Sequence, residues 1–592
     1  MKRYNIIKLV SALCIAVLIG GGCSEEFLDY TPTGVVSGDD LNTVDNVEKM
    51  IIAAYASLGN DNLLNGPFQD LWPLGTSRSD DGYKGGGSIG DVGCWNQTEV
   101  FTLNTPSNSC ANIMWYNIYW GVSRVNDALR RINQIDDGTY MAEAGVSKKE
   151  RIAELRFIRA HFEFILKILY KFPVYLDATV EKADVVDVPN NVLTDQEGWT
   201  RIADAFRIGV SDLPDAQADE GRPTRNAARC YLAKVLMSKA FVQDDNHQVT
   251  NINQSELQEV VSLIEAVEAT GEYDLYDDFA KNFLWEYESG IESVWAIMRS
   301  VADGSPEAGR GSLSSGLTSS MGPGYGCCSF NHATRNLANA FKTDDGGLPI
   351  FDGFNDPSSP QIIIQPDLIA NNMDPRIAHT FGVPGDGPMV AGTTFKYDPN
   401  RPFTEGYARV PGIYGHFLGM KDQELPECPC FRQYQAFFMT ARNTDQIRWA
   451  EVLLWKAEAL IELGRQDEAL PLINQIRRRA AASTGLINRA DGSPTGTWVI
   501  GEYTTMGSQD EARQILRKER RLELAFESKR FFDLVRWGIT EEVIDAFFEI
   551  EKVRAPHLID GNFTSGRDEY LAIPEQQITL SQGLYVQNPG YN

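Results

Sequence analysis

The sequence predicts a mainly α protein: a frame of antiparallel helix pairs interrupted by a long, loop-rich region with short strands. Three observations carry that prediction. Apolar residues recur at i, i+3, i+4 and i+7 through the N-terminal third and again beyond Gln446, a spacing that aligns them on one helix face. Between those parts, over roughly 244–444, the chain turns rich in Gly, Pro, Asp and Asn, which favour turns over periodic structure. After Gln446, one stretch reads as two helices joined by a tight turn, with small residues where the helices must touch: Ala457-Glu458-Ala459-Leu460, Leu463-Gly464 and Glu468-Ala469-Leu470.

The first helix is expected over Val47–Leu58. The second spans Ile113–Ile132, where Trp115, Ile118, Tyr119, Val122, Val125, Leu129 and Ile132 form the apolar stripe. The third, Lys148–Leu169, should stop at Tyr170-Lys171-Phe172-Pro173, because proline lacks the N–H that a continuing helix needs. Trp199–Leu213 and Ala227–Phe241 form a further pair. In the middle region, Ser293–Ile297 and Gln361–Ile364 read as short strands, set in irregular connections of the kind that usually carry binding residues. Ala450, Leu453, Leu454, Ala457, Leu460 and Ile461 trace a helix that Gly464 ends, and Asp467–Ala480 follows. That pair is like a tetratricopeptide unit, which cannot bury its own face and needs neighbouring pairs. A last helix is expected over Gln509–Trp537; its alternating charges read as ion pairs along a partly covered face.

Of 592 residues, 43% are hydrophobic, enough for a large core. Fifty-four Lys and Arg oppose 81 Asp and Glu, a formal charge of −27. No basic cluster works against that field, which excludes nucleic acid as a partner. Six histidines without an HExxH argue against a His-based metal site. The Asp/Asn-rich loops lack the D-x-D-x-D-G spacing of an EF-hand. No metal or cofactor is expected.

Lys2, Arg3 and Lys8 precede an apolar run, Leu9–Ile19, and then Gly20-Gly21-Gly22-Cys23. The run is too short to span a bilayer and suits a signal peptide over residues 1–22. A cysteine directly after small residues resembles a bacterial lipobox, with Gly20 where leucine usually stands. Cleavage before Cys23 leaves its thiol to carry diacylglycerol, and two or more acyl chains anchor stably. The acidic stretch Ser24-Glu25-Glu26 resembles the surface-export signal of Bacteroidetes lipoproteins. The plainer alternative is ordinary secretory cleavage with Cys23 a bystander. Beyond it stand Cys94, Cys110, Cys230, Cys327, Cys328, Cys428 and Cys430. The number is odd, so at least one thiol is unpaired, and none of the spacings is that of a zinc site.

Several segments, in order and spacing, resemble the SusD/RagB outer-membrane nutrient-binding lipoproteins of Bacteroidetes. They are CSEEFLDYTP from Cys23 to Pro32, Trp115-x3-Tyr119 with Asn126, Leu129 and Ile132, and Ala153–Ala160 with Leu169, Tyr170 and Pro173. Further along are Arg448-x-Ala450-Glu451 with Leu454, Asn474-x2-Arg477-x-Arg479-Ala480, Glu519–Glu527 with Arg530, Asp533 and Arg536-Trp537, and Gln587-Asn588-Pro589-Gly590-Tyr591. The resemblance implies a SusD-like fold of four tetratricopeptide-like helix pairs and a cell-surface lipid anchor in the outer membrane. It also implies a SusC-like TonB-dependent transporter as partner, to which captured glycan, or in some branches peptide, is delivered. It implies no enzyme activity. The corresponding organisation is a leader over 1–22, a lipidated tether over 23–45, a helical region over 46–243, the loop-rich region over 244–444 and a second helical region over 445–592. Arg448, Glu451, Arg520 and Glu523 are expected to hold helices together.

The family's ligand surface corresponds here to two loops, Pro67–Val100 and about Val301–Asn331. The first holds Trp72, Arg78, Asp80, Asp81, Tyr83, Trp95 and Asn96 among glycines; the second holds Tyr325. A sugar ring has an apolar C–H face that a flat aromatic covers and a fringe of hydroxyls that Asp, Asn and Arg can bond. Each residue also has a plainer reading. Trp95 and Tyr83 suit a core, Asp80 and Asp81 a turn before Gly82, and Tyr325 a tight Gly-Pro-Gly-Tyr-Gly turn, while Trp295 in its apolar run reads as core. Gly86–Gly90 satisfies G-x-S-x-G, but that motif needs a strand before it and a helix after. A glycosidase carboxylate pair and a scaffold that binds only envelope proteins complete the alternatives. Neutral glycan is the favoured ligand, and loss of soluble-ligand affinity on Trp95→Ala is the test the sequence suggests.

Overall fold

The computed structural model describes residues 41–59, 70–301, 304, 311–387, 390–434 and 437–591. The leader, Cys23 and most of the tether lie outside the described residues, as do 67–69, 302, 303 and 305–310 of the two expected ligand loops.

Eight helices form the frame: α1 Val44–Leu58, α2 Ser109–Ile132, α3 Lys148–Tyr170, α4 Asp195–Asp212, α5 Arg225–Ala240, α6 Gln254–Glu268, α7 Trp449–Glu462 and α8 Gln466–Ala482. Each packs against the next in chain order, which gives four helix pairs stacked side by side. Local chemistry sets their starts. Asn108, Ser147, Thr194 and Thr224 each accept a first-turn N–H of the helix that follows, and Thr194 forms a reciprocal box with Glu197. Between α7 and α8, Gly464 adopts φ 74°, the left-handed turn that a side chain would strain.

Two differences from the sequence reading fall in the loop-rich middle region. Helix α6 falls where irregular chain was expected, although Leu257, Val260, Val261, Ile264 and Val267 carry the helical stripe and are buried. The segment Gln361–Ile364 is not a strand. Its backbone N–H groups are taken by side chains instead, Ile362 by Asn339 and Ile363 and Ile364 by Asp367. Ser293–Ile297 is a strand, antiparallel to Thr444–Arg448, which leads straight into α7. Trp295 lies in the core, its indole N–H donated to the Gly221 carbonyl.

The expected last helix is two: α9 Gln509–Leu524 and α10 Arg530–Trp537, followed by α11 Thr540–Arg554. At the break, Phe526 and Ser528 have φ 66° and 59°, which sinks Phe526 against Phe381 and turns Glu527 inward. Glu519, Arg520, Arg521 and Glu523 of α9 are ion-paired, but inside the protein rather than along a half-covered face. Five cations (Arg376, Lys421, Arg448, Arg477, Arg479) meet five carboxylates (Glu292, Asp374, Glu519, Glu523, Glu527) in one connected network. It ties α7, α8 and α9 to the loop-rich region. Arg520 pairs with Asp533 and reaches Glu451.

Burial alone raises the Glu527 carboxyl, but Arg448 and Lys421 outweigh it and hold it at about 2. Glu523 is likewise held far down, its burial overcome by Arg479, Arg448 and Arg376. An unfolded Glu titrates near ~4.3. Both groups therefore add stability that is complete above about pH 4–5 and is lost as the pH falls toward 2. Urea midpoints should drop steeply between about pH 4 and 2, and Glu527→Gln should make that slope shallower.

Candidate functional site

The two expected ligand loops, more than 200 residues apart, meet in one four-stranded antiparallel sheet. Gly82–Gly85 pairs with Phe330–Ala333, placing Tyr83 opposite His332 and Gly85 opposite Phe330, and Leu418–Gly419 and Phe381–Gly382 complete the order. Gly82, Gly85, Gly86 and Gly87 serve close packing rather than exposure. A Cβ on Gly86 (φ 83°) would sit 2.7 Å from the Phe330 ring. Because the loop lies against other chain, its large side chains turn inward.

That corrects the expected contact surface. Trp72, Arg78, Asp80, Asp81, Tyr83 and Trp95 are all buried, none more than 5% exposed. Trp72 packs on Phe330, and Trp95 belongs to the main core. The Arg78 guanidinium sits over the Phe531 ring and donates to the Asp568 carbonyl. The Tyr83 hydroxyl donates to Glu551 at 2.7 Å. Asp80 accepts from Arg530 and Asp81 from Arg521, at 2.9 and 2.8 Å. Burial raises the Asp80 carboxyl, yet Arg521 and Arg530 hold it at about 2. These residues fasten α9 and α10 to the loops. Asn96 and Tyr325 are half-buried. Asn96 donates to Glu99 at 3.3 Å, while the Tyr325 hydroxyl donates to the Glu424 carbonyl and its ring packs edge-on against Phe395, Phe431 and Phe438.

What the loops leave outward is a different set. Val92, Cys327 and Phe437 lie half-buried at the edge of a cluster formed by Trp72, Leu317, Cys328 and Phe330. Ile89 and Met321 are exposed. Beside them Arg409 pairs with Asp91 at 3.2 Å, and Asp91 also accepts the Gly87 N–H at 2.8 Å. Lys84 braces the loop from within by donating to the carbonyls of Ser88 and Asp91. This face combines an apolar ledge with a charged hydrogen-bonding pair, the two things a sugar ring needs. Sequence reasoning named this part of the chain but not Arg409 or Phe437, which only the pairing of distant segments brings here. Ser88 of the G-x-S-x-G stretch follows a strand, but no helix begins before Gly93, so the elbow geometry is missing.

Inside the frame lies a cavity of about 200 Å³, lined by α3, α4, α5, the α9–α10 break and the loop-rich region. Aromatic walls (Phe164, Trp199, Tyr231) face charged groups. Burial pushes Asp422 and Asp445 up to about 6, and pulls Lys421 down to about 8. Asp445 accepts from Ser293, and Lys421 donates to Glu527 at 2.6 Å. These charges brace the interior.

The cysteines form Cys94–Cys110, Cys327–Cys328 and Cys428–Cys430 disulfides, with Cys230 free and buried. Among the described residues, the one trio close enough to hold a metal is Glu424 with Cys428 and Cys430. Those two sulfurs are bonded to each other, and Glu424 already pairs with Arg442 at 2.7 Å. No helix of the described residues is long and apolar enough to cross a membrane.

Stacked helix pairs that hold a loop-built face outward define a repeat-scaffold protein whose loop surface is displayed rather than enclosed. Comparison with known proteins narrows this. The sequence profile of the SusD family matches residues 433–591. SusD-like protein P2 of Formosa agariphila is 23% identical over the full length of both chains. A laminarin-binding SusD-like protein superposes with a TM-score of 0.63 at 21% identity, covering 92% of this chain and 99% of that one. Surface glycan-binding protein A of Bacteroides thetaiotaomicron, solved with laminarihexaose, gives 0.60 at 18% identity, with 92% and 99% covered. The chain has a SusD-like fold, and its C-terminal part, residues 433–591, matches the SusD family.

Proposed function

We propose that the protein is a non-enzymatic cell-surface lipoprotein that binds a neutral glycan and delivers it to a SusC-like TonB-dependent transporter. The observation that carries the reading is the loop face. An apolar ledge of Val92, Cys327 and Phe437 beside the Arg409–Asp91 pair offers a sugar both a stacking surface and hydrogen bonds. The glycan ligands of two similar folds support it, as do the sequence features around Cys23 that suit a lipid anchor. The surface is displayed on a rigid frame, where a transporter could take over a ligand that is held but not enclosed.

Calorimetry of residues 24–592 against neutral polysaccharides (laminarin included), mucin glycans and peptides tests the ligand. One glycan should bind saturably, and Arg409→Ala should weaken it about tenfold, the size of one lost charge-assisted hydrogen bond. The thermal midpoint should stay nearly unchanged, because exposed ion pairs contribute little to stability. Binding of peptides alone would replace glycan by peptide in this reading. Failure to co-purify with a TonB-dependent barrel from native membranes would remove the delivery step.

A further inference from the structure

A second pocket, of about 110 Å³, shares no residue with the loop face. It opens between the turn at His247-Gln248, the α10–α11 junction and the segment Ser565–Glu569. Three of its lining side chains, His247, Thr540 and Glu569, are 1%, 3% and 4% exposed. Each has one buried polar atom with no hydrogen-bond partner in the protein: His247 Nε2, Thr540 Oγ1 and Glu569 Oε2. Buried polar atoms are nearly always paired, so three unpaired ones lining a single pocket mark a place built for something polar.

Their chemistry says what kind. Lys171 Nζ lies 2.7 Å from His247 Nδ1 and donates to the Asp244 carbonyl at 3.0 Å. An ammonium can only donate, so Nδ1 accepts, and the imidazole proton sits on Nε2, which has no partner in the protein. Helix α11 begins at Thr540 with no side-chain cap, which leaves its first-turn N–H groups as further donors. Opposite them, Glu569 uses Oε1 on the Gly566 N–H at 3.1 Å and keeps Oε2 as an acceptor. Anions are disfavoured by Glu569 together with Glu541 and Glu542, which also line the pocket. Cations are disfavoured by the helix N-terminus, the imidazole N–H and Lys171 behind it. A hydroxyl both accepts and donates, and two adjacent hydroxyls match donors on one side with an acceptor on the other.

We propose that this pocket binds a neutral vicinal diol, presented by one sugar residue of the glycan, as a second subsite that shares no residue with the loop face. Its sugar identity rests on the glycan reading above; its diol chemistry rests on the pocket alone. The test soaks crystals of the protein with glucose, galactose, mannose, xylose, N-acetylglucosamine and glycerol. Affinities are then measured by ligand-observed NMR for wild type, Thr540→Val and Glu569→Gln.

At least one sugar should occupy the pocket, and each variant should weaken it about tenfold. Thr540→Val should leave the thermal midpoint unchanged, since that hydroxyl has no protein partner to lose. Ordered water alone in every soak, or affinities untouched by both variants, would overturn the proposal. If the glycan bound to the loop face at the same time, the broader reading would survive that failure. A pocket that takes diols in a protein that binds no glycan would do the reverse.

Discussion

Glu523→Gln is expected to destabilise the protein by about 3–5 kcal/mol, the cost of leaving buried charges without their counterion. Glu523 is fully buried and accepts from three arginines at once: Arg376 at 3.0 Å, Arg448 at 2.7 Å, and Arg479. Glutamine keeps the shape but removes the charge and turns one acceptor into a donor facing guanidinium groups. The remaining carboxylates cannot move to compensate, because Glu519 is held by Arg376 and Arg477 and Glu527 by Arg448 and Lys421. Urea unfolding at pH 7 measures the effect. A loss below about 1 kcal/mol, the level of a surface pair, would mean the network is far better hydrated than its burial indicates.

Trp95→Ala is expected to cost about 3–5 kcal/mol of stability, the range for emptying a large aromatic site in a core. It should leave glycan affinity of the folded protein unaltered. Trp95 is 1% exposed within the main core, on the short helix Gly93–Glu99, which the Cys94–Cys110 disulfide joins to α2. The substitution that the sequence suggests as a binding probe is thus a stability probe, and Arg409→Ala takes its place. Full stability combined with lost binding would return Trp95 to the ligand surface.

Much of the frame was legible because a helix buries one face, and burial writes a period of 3.6 into the chain. Seven of the eight frame helices were visible that way to within a few residues. The same stripe was present in α6, hidden among acids and serines in a stretch whose surroundings read as loop. The break after Leu524 was not visible, since nothing in Ala525-Phe526-Glu527-Ser528-Lys529 interrupts a helical pattern. Phe526 and Glu527 leave the helix because their partners, Phe381 and Arg448, lie elsewhere in the chain.

The loops show the limit most clearly. Glycine, aspartate and aromatic residues together describe an exposed binding loop and a tightly covered one equally well. Arg521 decides between them by reaching Asp81, and Arg530 by reaching Asp80, each more than 400 residues away in sequence.

By itself the sequence determined the helical class, the SusD-like fold and the placing of loops between helices, because periodicity, order and spacing are properties of neighbouring residues. The tertiary structure alone decided which side chains of those loops meet solvent. Whether Asp80 bonds a ligand or Arg530, and whether His247 offers a free N–H, depends on which distant segment arrives beside it, and local pattern carries no record of that.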